Sequence, residues 1–288
     1  MNYYRFFLLL CFLTAGIIYI FFGKTSSSIQ SIDSFSEISW EKVGIETLVI
    51  FDVDDVLIMA SDKIYQTNQY NESLRKKIAD SLRTKYDMSQ YFTQQRISLY
   101  LQQGKKKLVE PEIVDIIHRL QDRGIKTIAL SNSPGGSFGY IPKMEEWRAN
   151  SLKSLEIDFS QSFPECAFSR FTQADLLGNN GEYALISDGI ILTNGFKKSK
   201  ALSAFLKSIP WQPMEIVYID DSIEYLQDVQ SYARENNISF KGYFYNGVKV
   251  KSENADENIA AKQIKNIIEH QCWLSDEDVQ KELKKRRP

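Results

Sequence analysis

The 288-residue chain carries 35 Lys and Arg against 37 Asp and Glu, with 25% charged and 43% hydrophobic residues. This is the composition of a globular protein long enough for one large domain, or for a core domain with an insertion. A formal net charge of -2 supplies no field that would gather nucleic acid without sequence preference, so no nucleic-acid partner is expected. Cys11, Cys166 and Cys272 show no C-x-x-C spacing, and with His118 and His270 as the histidines they speak against a zinc cluster. Cys166 and Cys272 can pair in an oxidising compartment, although an isolated buried thiol is the simpler reading of each.

From Phe6 to Phe22 the run FFLLLCFLTAGIIYIFF holds no charged residue. As a helix it would be about 26 Å long, near the hydrocarbon thickness of a bilayer. Residues 1–24 therefore read as a membrane anchor in preference to a cleaved signal peptide, since FFGKTSSS offers no good small-x-small cleavage site. Cys11 in LLLC sits as a lipoprotein cysteine would, but Leu10 stands where such a signal wants a small residue. Arg5 and the α-amine before the run, against Lys24 after it, lean toward an exported, extracytoplasmic globular part. A linker, 25–44, follows, and then the globular domain, 45–288.

In that domain short apolar strands alternate with amphipathic helices, the pattern of a parallel sheet covered on both faces. The first strand is expected over 47–53. Residues 58–108 are polar and helical, with Tyr65, Tyr70, Tyr86, Tyr91 and Tyr100 spread through them, and read as a cap inserted into the core. In PEIVDIIHRLQDRGIKTIALSNS, Pro111 suits a first helical turn and Ile113, Ile116, Ile117 and Leu120 form one apolar face. Gly124 closes that helix and 125–130 is a strand. A second insertion, 134–193, holds a helix at 145–155 and a hairpin in YALISDGIILT turning at Asp188 and Gly189. A helix at 198–208, a strand at 215–219, a helix at 222–236, a strand at 239–245 and a closing helix at 255–272 complete the order. The tail KKRRP is a solvated end.

In open α/β sheets ligands bind beyond the carboxyl ends of the strands, and the suspicious residues all fall there. LVIFDVDDVLI ends the first strand in Asp52-Val53-Asp54, IALSNS ends the second at Ser131, Lys197, Lys198 and Lys200 open a helix, and VYIDDS ends a later strand in Asp220-Asp221. Alternation puts Asp52 and Asp54 on one side if the strand stays extended. Two carboxylates about 4 Å apart repel by roughly 4 kcal/mol at an effective dielectric near 20, so the cluster needs a cation. Oxygen ligands from two strand ends suit a hard one, Mg²⁺.

FDVDDVL, IALSNS, FKKSKAL and VYIDDS resemble, in order and in placement, the four motifs of the haloacid-dehalogenase-like phosphatases. The resemblance covers residues 47–245. With WRANSLKSLEIDFS and GYFYNGV it is similar to an uncharacterised bacterial branch of that superfamily found in intracellular bacteria, which includes secreted effectors. It implies a Rossmann-like parallel sheet and Mg²⁺-dependent hydrolysis of a phosphomonoester, a small phosphometabolite or a phosphoprotein, phosphotyrosine included. Asp52 would attack phosphorus and form an aspartyl-phosphate, and Asp54 would act as general acid and then base. Mg²⁺ would be held by the Asp52 carboxylate, the Asp54 carbonyl oxygen and Asp220, with Asp221 assisting. Ser131 and Asn132 would bind the phosphoryl group, and Lys198 would offset its charge. Lys198 is preferred to Lys197 and Lys200 because KSKAL matches the run expected at the helix start. Asp55 departs from the pattern, which generally has a small or hydroxyl residue there.

Taken singly, each residue has a plainer reading. Asp52 and Asp54 can be turn formers, Ser131 turn chemistry, Lys198 a solvated helix end and Asp221 or Ser222 a helix cap. Asp62, Asp188 and Asp228 read as surface or turn residues, and His118 as structural. The alternatives to a phosphatase are a membrane-anchored D-x-D glycosyltransferase, which leaves Ser131, Lys198 and DDS unexplained, and a catalytically silent binding module of the same fold.

Overall fold

The computed structural model describes residues 26–82, 94–172, 176 and 183–285. The run from Phe6 to Phe22 expected as an anchor, and Cys11 within it, lie outside these residues. Among the described residues no helix is long and apolar enough to cross a membrane.

The strand β2 (Thr47–Phe51), TLVIF, is buried along its whole length, as an unbroken apolar run must be when a parallel sheet is covered on both faces. It lies inside an eight-stranded sheet. β5 (Lys126–Ser131) and β9 (Glu215–Asp220) flank it in parallel. Beyond β9 come β10 (Ser239–Tyr245) and the edge strand β1 (Ser27–Ile32); beyond β5 come β8 (Ile190–Leu192), β7 (Leu185–Ser187) and β6 (Phe168–Arg170). Every neighbouring pair from β1 to β8 is parallel, and β7 runs against both β8 and β6. The fold is a mixed α/β architecture around a mostly parallel central sheet.

Period-two alternation sorts the strand residues into two cores. Leu48, Ile50, Ile128, Leu130, Ile216 and Tyr218 meet α5 (Lys198–Ser208) and α6 (Ile223–Glu235) through Leu202, Phe205, Leu226 and Val229. Val49, Phe51, Ala129, Val217 and Ile219 share the other core with Ile117 and Leu120 of α3 (Ile113–Asp122) and Leu152 of α4 (Met144–Lys153). Gly124 stands at φ 75 after α3, the left-handed residue that ends a helix there.

The antiparallel pair β3 (Ile58–Ala60) and β4 (Lys106–Leu108) brackets α1 (Gln69–Leu82) and α2 (Gln94–Gln103) in the stretch read as a cap. Leu74, Ile78 and Tyr100 from this stretch form a third core with Ala260, Ile264 and Ile267 of α8 (Glu257–His270) and with Trp273. Thus α8, the closing helix expected over 255–272, covers the α1–α2 layer. Asp62, read as a surface or turn residue, is buried there at the start of the turn Lys63–Tyr65 and accepts hydrogen bonds from Trp273 Nε1 and Asp276 N, both at 2.8 Å. The short α7 (Gly247–Lys251) precedes α8, and α9 (Asp276–Lys285) follows it.

The stretch expected as a linker, 25–44, belongs to the fold from residue 26 onward. β1 pairs with β10 from Ser27 to Ile32. Phe35 is fully buried and stacks on Tyr245 with ring centroids 4.6 Å apart. Edge strands carry polar residues on their open side, so SSSIQSI looked like linker while forming a strand.

The second expected insertion, 134–193, also needs correction. Its hairpin turns at Asp188 (φ 49) and Gly189 (φ 74) as anticipated, but it lays β8 into the main sheet beside β5. Three-residue strands are too short to declare their sheet partner by periodicity. Cys166 is half-buried and Cys272 exposed, both as free thiols, so the buried reading does not hold for Cys272.

Candidate functional site

After β2 the chain moves to β5 on one side, and later returns as β9 on the other. The carboxyl ends of these strands therefore flank a point where strand order reverses, the place where an open α/β sheet leaves a crevice. Asp52 continues β2 by one bond, its N–H donating to the Ile219 carbonyl at 2.9 Å. The backbone then turns sharply. Leu57 and Ile58 both donate to the Val53 carbonyl, Asp55 donates to Ile58, and Asp55 takes a left-handed φ of 64°.

This turn separates the two aspartates that an extended strand would have kept together. Asp52 is buried and points to Lys198, whose ammonium is 0% exposed and donates to Asp52 Oδ1 at 2.5 Å and Asp220 Oδ2 at 2.7 Å. Asp52, Asp220 and Asp221 each offer one carboxylate oxygen, all within 4.8 Å of one another. Burial lifts the Asp52 carboxyl well above the usual carboxylate range; Lys198 opposes this, and Asp220 and Asp221 add to it. Asp221 is pushed up to about 7 by burial, then by Asp220 and Asp55. Burial pulls the Lys198 ammonium down, but Asp52 and Asp220 outweigh it and hold it above its ordinary value. One ammonium among three carboxylates leaves the cluster short of positive charge, the condition a hard cation relieves.

Asp54 faces the other way. Arg148, on α4 and 4% exposed, grips it with a two-pronged contact, Nη1 to Oδ1 at 2.9 Å and Nη2 to Oδ2 at 2.8 Å, while the Asp54 side chain stays 52% exposed. Partial burial would raise the Asp54 carboxyl, yet Arg148 and then Lys106 hold it below the usual range. The carboxylate cluster excludes Asp54, so a share of Asp54 in a metal site falls to its backbone carbonyl.

Ser131 is buried at the end of β5, and its carbonyl accepts from Thr193 N at 3.0 Å. Asn132 spans neighbouring elements, donating to the Tyr225 hydroxyl and accepting from Thr193 Oγ1, each at 2.8 Å. Of the three lysines considered, Lys197 and Lys200 are exposed and Lys198 is the one in the crevice. Its ammonium stands 4.5 Å from the Tyr225 ring centroid, and Tyr218 donates to Asp220 Oδ2. Asp228, read as a surface or turn residue, accepts from Ser199 N and Ser199 Oγ, both at 2.8 Å, and so fixes the helix start that presents Lys198. His118 is exposed on α3 with Nε2 3.1 Å from the Glu156 carbonyl oxygen, away from this cluster.

Sequence reading missed Arg148, Lys106, Tyr218 and Tyr225. Charged and aromatic residues are common in helices and strands, and only Tyr218, two before Asp220, carried a positional hint.

An α/β chain with a mostly parallel sheet, bearing paired carboxylates and a buried lysine at its strand reversal, is the class these observations define. The chain matches the family described as proteins of unknown function, DUF2608, over residues 30–280 and belongs to it. A Rickettsia felis protein described as uncharacterized is 32% identical over 167 residues, 57% of this chain and 56% of its own length. A Rickettsia prowazekii protein, uncharacterized protein RP296, is 27% identical over 246 residues, 83% and 84% of the two chains. A Chlamydia pneumoniae protein named as a candidate outer membrane protein is 27% identical over 130 residues, 44% and 46%. The match to the first of these relatives spans little more than half of its length. No solved structure matches the chain.

Proposed function

We propose that this chain is a Mg²⁺-dependent phosphomonoester hydrolase of the haloacid-dehalogenase type, working through an aspartyl-phosphate. The observation that carries the reading is the convergence of Asp52 and Asp220, from two separate strands, on the buried ammonium of Lys198. A turn-forming aspartate needs no such partner, and a D-x-D sugar-nucleotide site would leave the buried lysine without a task.

Mg²⁺ binds oxygen ligands in an octahedron at about 2.0–2.1 Å, which sets those oxygens roughly 3–4 Å apart. Carboxylate oxygens within 4.8 Å of one another fit that ion after a small contraction. Asp52, Asp220 and Asp221 would hold it, with the Asp54 carbonyl; when bound it offsets charge between an anionic nucleophile and a phosphate.

Asp52 attacks phosphorus in line, forming an Oδ–P bond as the bond from phosphorus to the leaving oxygen breaks. Lys198 donates to the phosphoryl oxygens as charge develops on them, joined by the Ser131 hydroxyl and the Asn132 amide. Arg148 keeps Asp54 ionised in the free protein, so Asp54 takes up a proton from solvent, to which about half of its side chain is open, as the phosphate binds, and gives it to the leaving oxygen. It then accepts a proton from the water that attacks phosphorus and frees Asp52. An envelope location is part of the same reading, supported by the uncharged run from Phe6 to Phe22 and by the name of the Chlamydia pneumoniae relative.

The test is phosphate release from p-nitrophenyl phosphate by the full chain in detergent, with Mg²⁺ and with chelator. Asp52→Asn should cut the Mg²⁺-dependent rate by at least about a thousandfold while the circular dichroism spectrum is kept. A variant as active as the parent would remove Asp52 as nucleophile.

A further inference from the structure

Two cations stand beside Asp54, and the phosphohydrolase reading gives neither a task. Arg148 commits both terminal nitrogens to Asp54, and its buried Nε has no hydrogen-bond partner among the described residues. Lys106 sits opposite Ala60 in the β3–β4 pair, which grows directly out of the Asp54-Asp55 turn through the Asp54–Ile58 bridge. Its ammonium lies 5.1 Å from the Tyr100 ring centroid and makes no ion pair within 4.0 Å among the described residues. The turn's other carboxylate, Asp55, is taken by the Thr67 hydroxyl at 2.5 Å.

An ammonium drawn partly out of water is costly unless an anion meets it, and an aromatic face compensates only in part. The cost is visible in Lys106, whose ammonium is pulled below its ordinary value by burial, with Asp54 the strongest charge opposing this. The two sides of the crevice thus differ in charge. Around Asp52 carboxylates outnumber the single ammonium; around Asp54 two cations flank the group that would face the leaving oxygen.

We propose that Lys106 forms a subsite for a negatively charged substituent on the leaving group. The substrates are then phosphomonoesters bearing a second anion, a carboxylate or another phosphate. This rests on the phosphohydrolase reading. The second anion pairs with Lys106 over the Tyr100 ring and presents the ester oxygen toward Asp54, so it contributes to selection among substrates and to their orientation. A lysine suits this task, because an ammonium accepts carboxylate and phosphate alike as a point charge.

The experiment measures kcat/KM of the full chain with Mg²⁺ on two matched pairs. Phosphoserine and phosphoethanolamine differ by a carboxylate; ethylene glycol bisphosphate and monophosphate differ by a phosphate. We expect the more anionic member of at least one pair to be preferred by about tenfold or more, the value of one charge-assisted contact, and the preferred pair names the anion. Lys106→Gln should bring that ratio close to one, while Lys106→Arg should keep most of it. Ratios within about twofold in both pairs, or a preference that survives Lys106→Gln, overturn the subsite and leave the hydrolase standing. No Mg²⁺-dependent turnover of any of the four overturns both.

Discussion

Lys198 holds two buried carboxylates on one ammonium, and the stability of the cation-free protein leans on that contact. Both Asp52 and Asp220 are buried, and removing one partner of a buried ion pair strands the other at a cost of about 3–5 kcal/mol. Lys198→Met should therefore lower the melting temperature in chelator on the order of 10 °C. Thermal denaturation by circular dichroism checks this, and an unchanged midpoint would mean that the carboxylates take up protons at no cost. Asp52, Ser131, Lys198 and Asp220 were legible in the sequence because each ends a strand or opens a helix, where chain order alone predicts a shared crevice. Arg148 was not. Its partner Asp54 is 94 residues away, and nothing in EEWRANS separates a guanidinium aimed inward from one in solvent. Nor was the separation of Asp52 from Asp54 legible, since period-two alternation cannot announce a turn that depends on Asp55 adopting φ 64.

At the scale of elements, the polar edge strand β1 is tied to the sheet by a buried polar knot. Glu110 is buried and accepts from the Tyr245 hydroxyl at 2.6 Å, from Ser34 Oγ at 2.8 Å and from Phe35 N at 3.2 Å. Burial alone would raise the Glu110 carboxyl, but these donors, Tyr245 first, outweigh it and hold the group below the ordinary range. A carboxylate depressed in the folded state contributes stability that is complete above its unfolded value, about 4.3. That stability is lost as pH falls through the lower folded value. The melting temperature should accordingly fall as pH drops below about 4.3, and Tyr245→Phe should flatten the fall while costing roughly 1–3 kcal/mol near neutral pH. Melting curves between neutral and acid pH for the two proteins decide it, parallel curves being the contrary result. The long apolar strands β2, β5 and β9 were legible because burial on both faces forces an unbroken apolar run. β1 was not, because an edge strand with an open side has no hydrophobic pattern to show.

At the scale of the whole molecule, parallel pairing fixes where the chain enters relative to the crevice. β1 starts level with the first residues of β10, Ser27 opposite Phe240, so residue 26 stands at the amino edge of the sheet while Asp52, Ser131 and Asp220 close the carboxyl edge. Residue 26 thus stands on the side of the sheet away from the site. The charge imbalance at the carboxyl edge then gives a test of cation binding that is independent of turnover. A cation that binds only the folded state stabilises it by mass action, about 2.7 kcal/mol at a concentration one hundred times its Kd, or roughly 5–10 °C for a chain of this size. Titrating Mg²⁺ into chelator-treated protein should raise the melting temperature by that order. Asp220→Asn should abolish the rise because it removes a ligand from the second strand, whereas Asp188→Asn, at the β7–β8 turn where Asp188 pairs with Lys153, should leave it intact. Equal rises in all three proteins would mean that Mg²⁺ acts elsewhere on the surface, and the carboxylates at the strand ends would then be held by Lys198 alone.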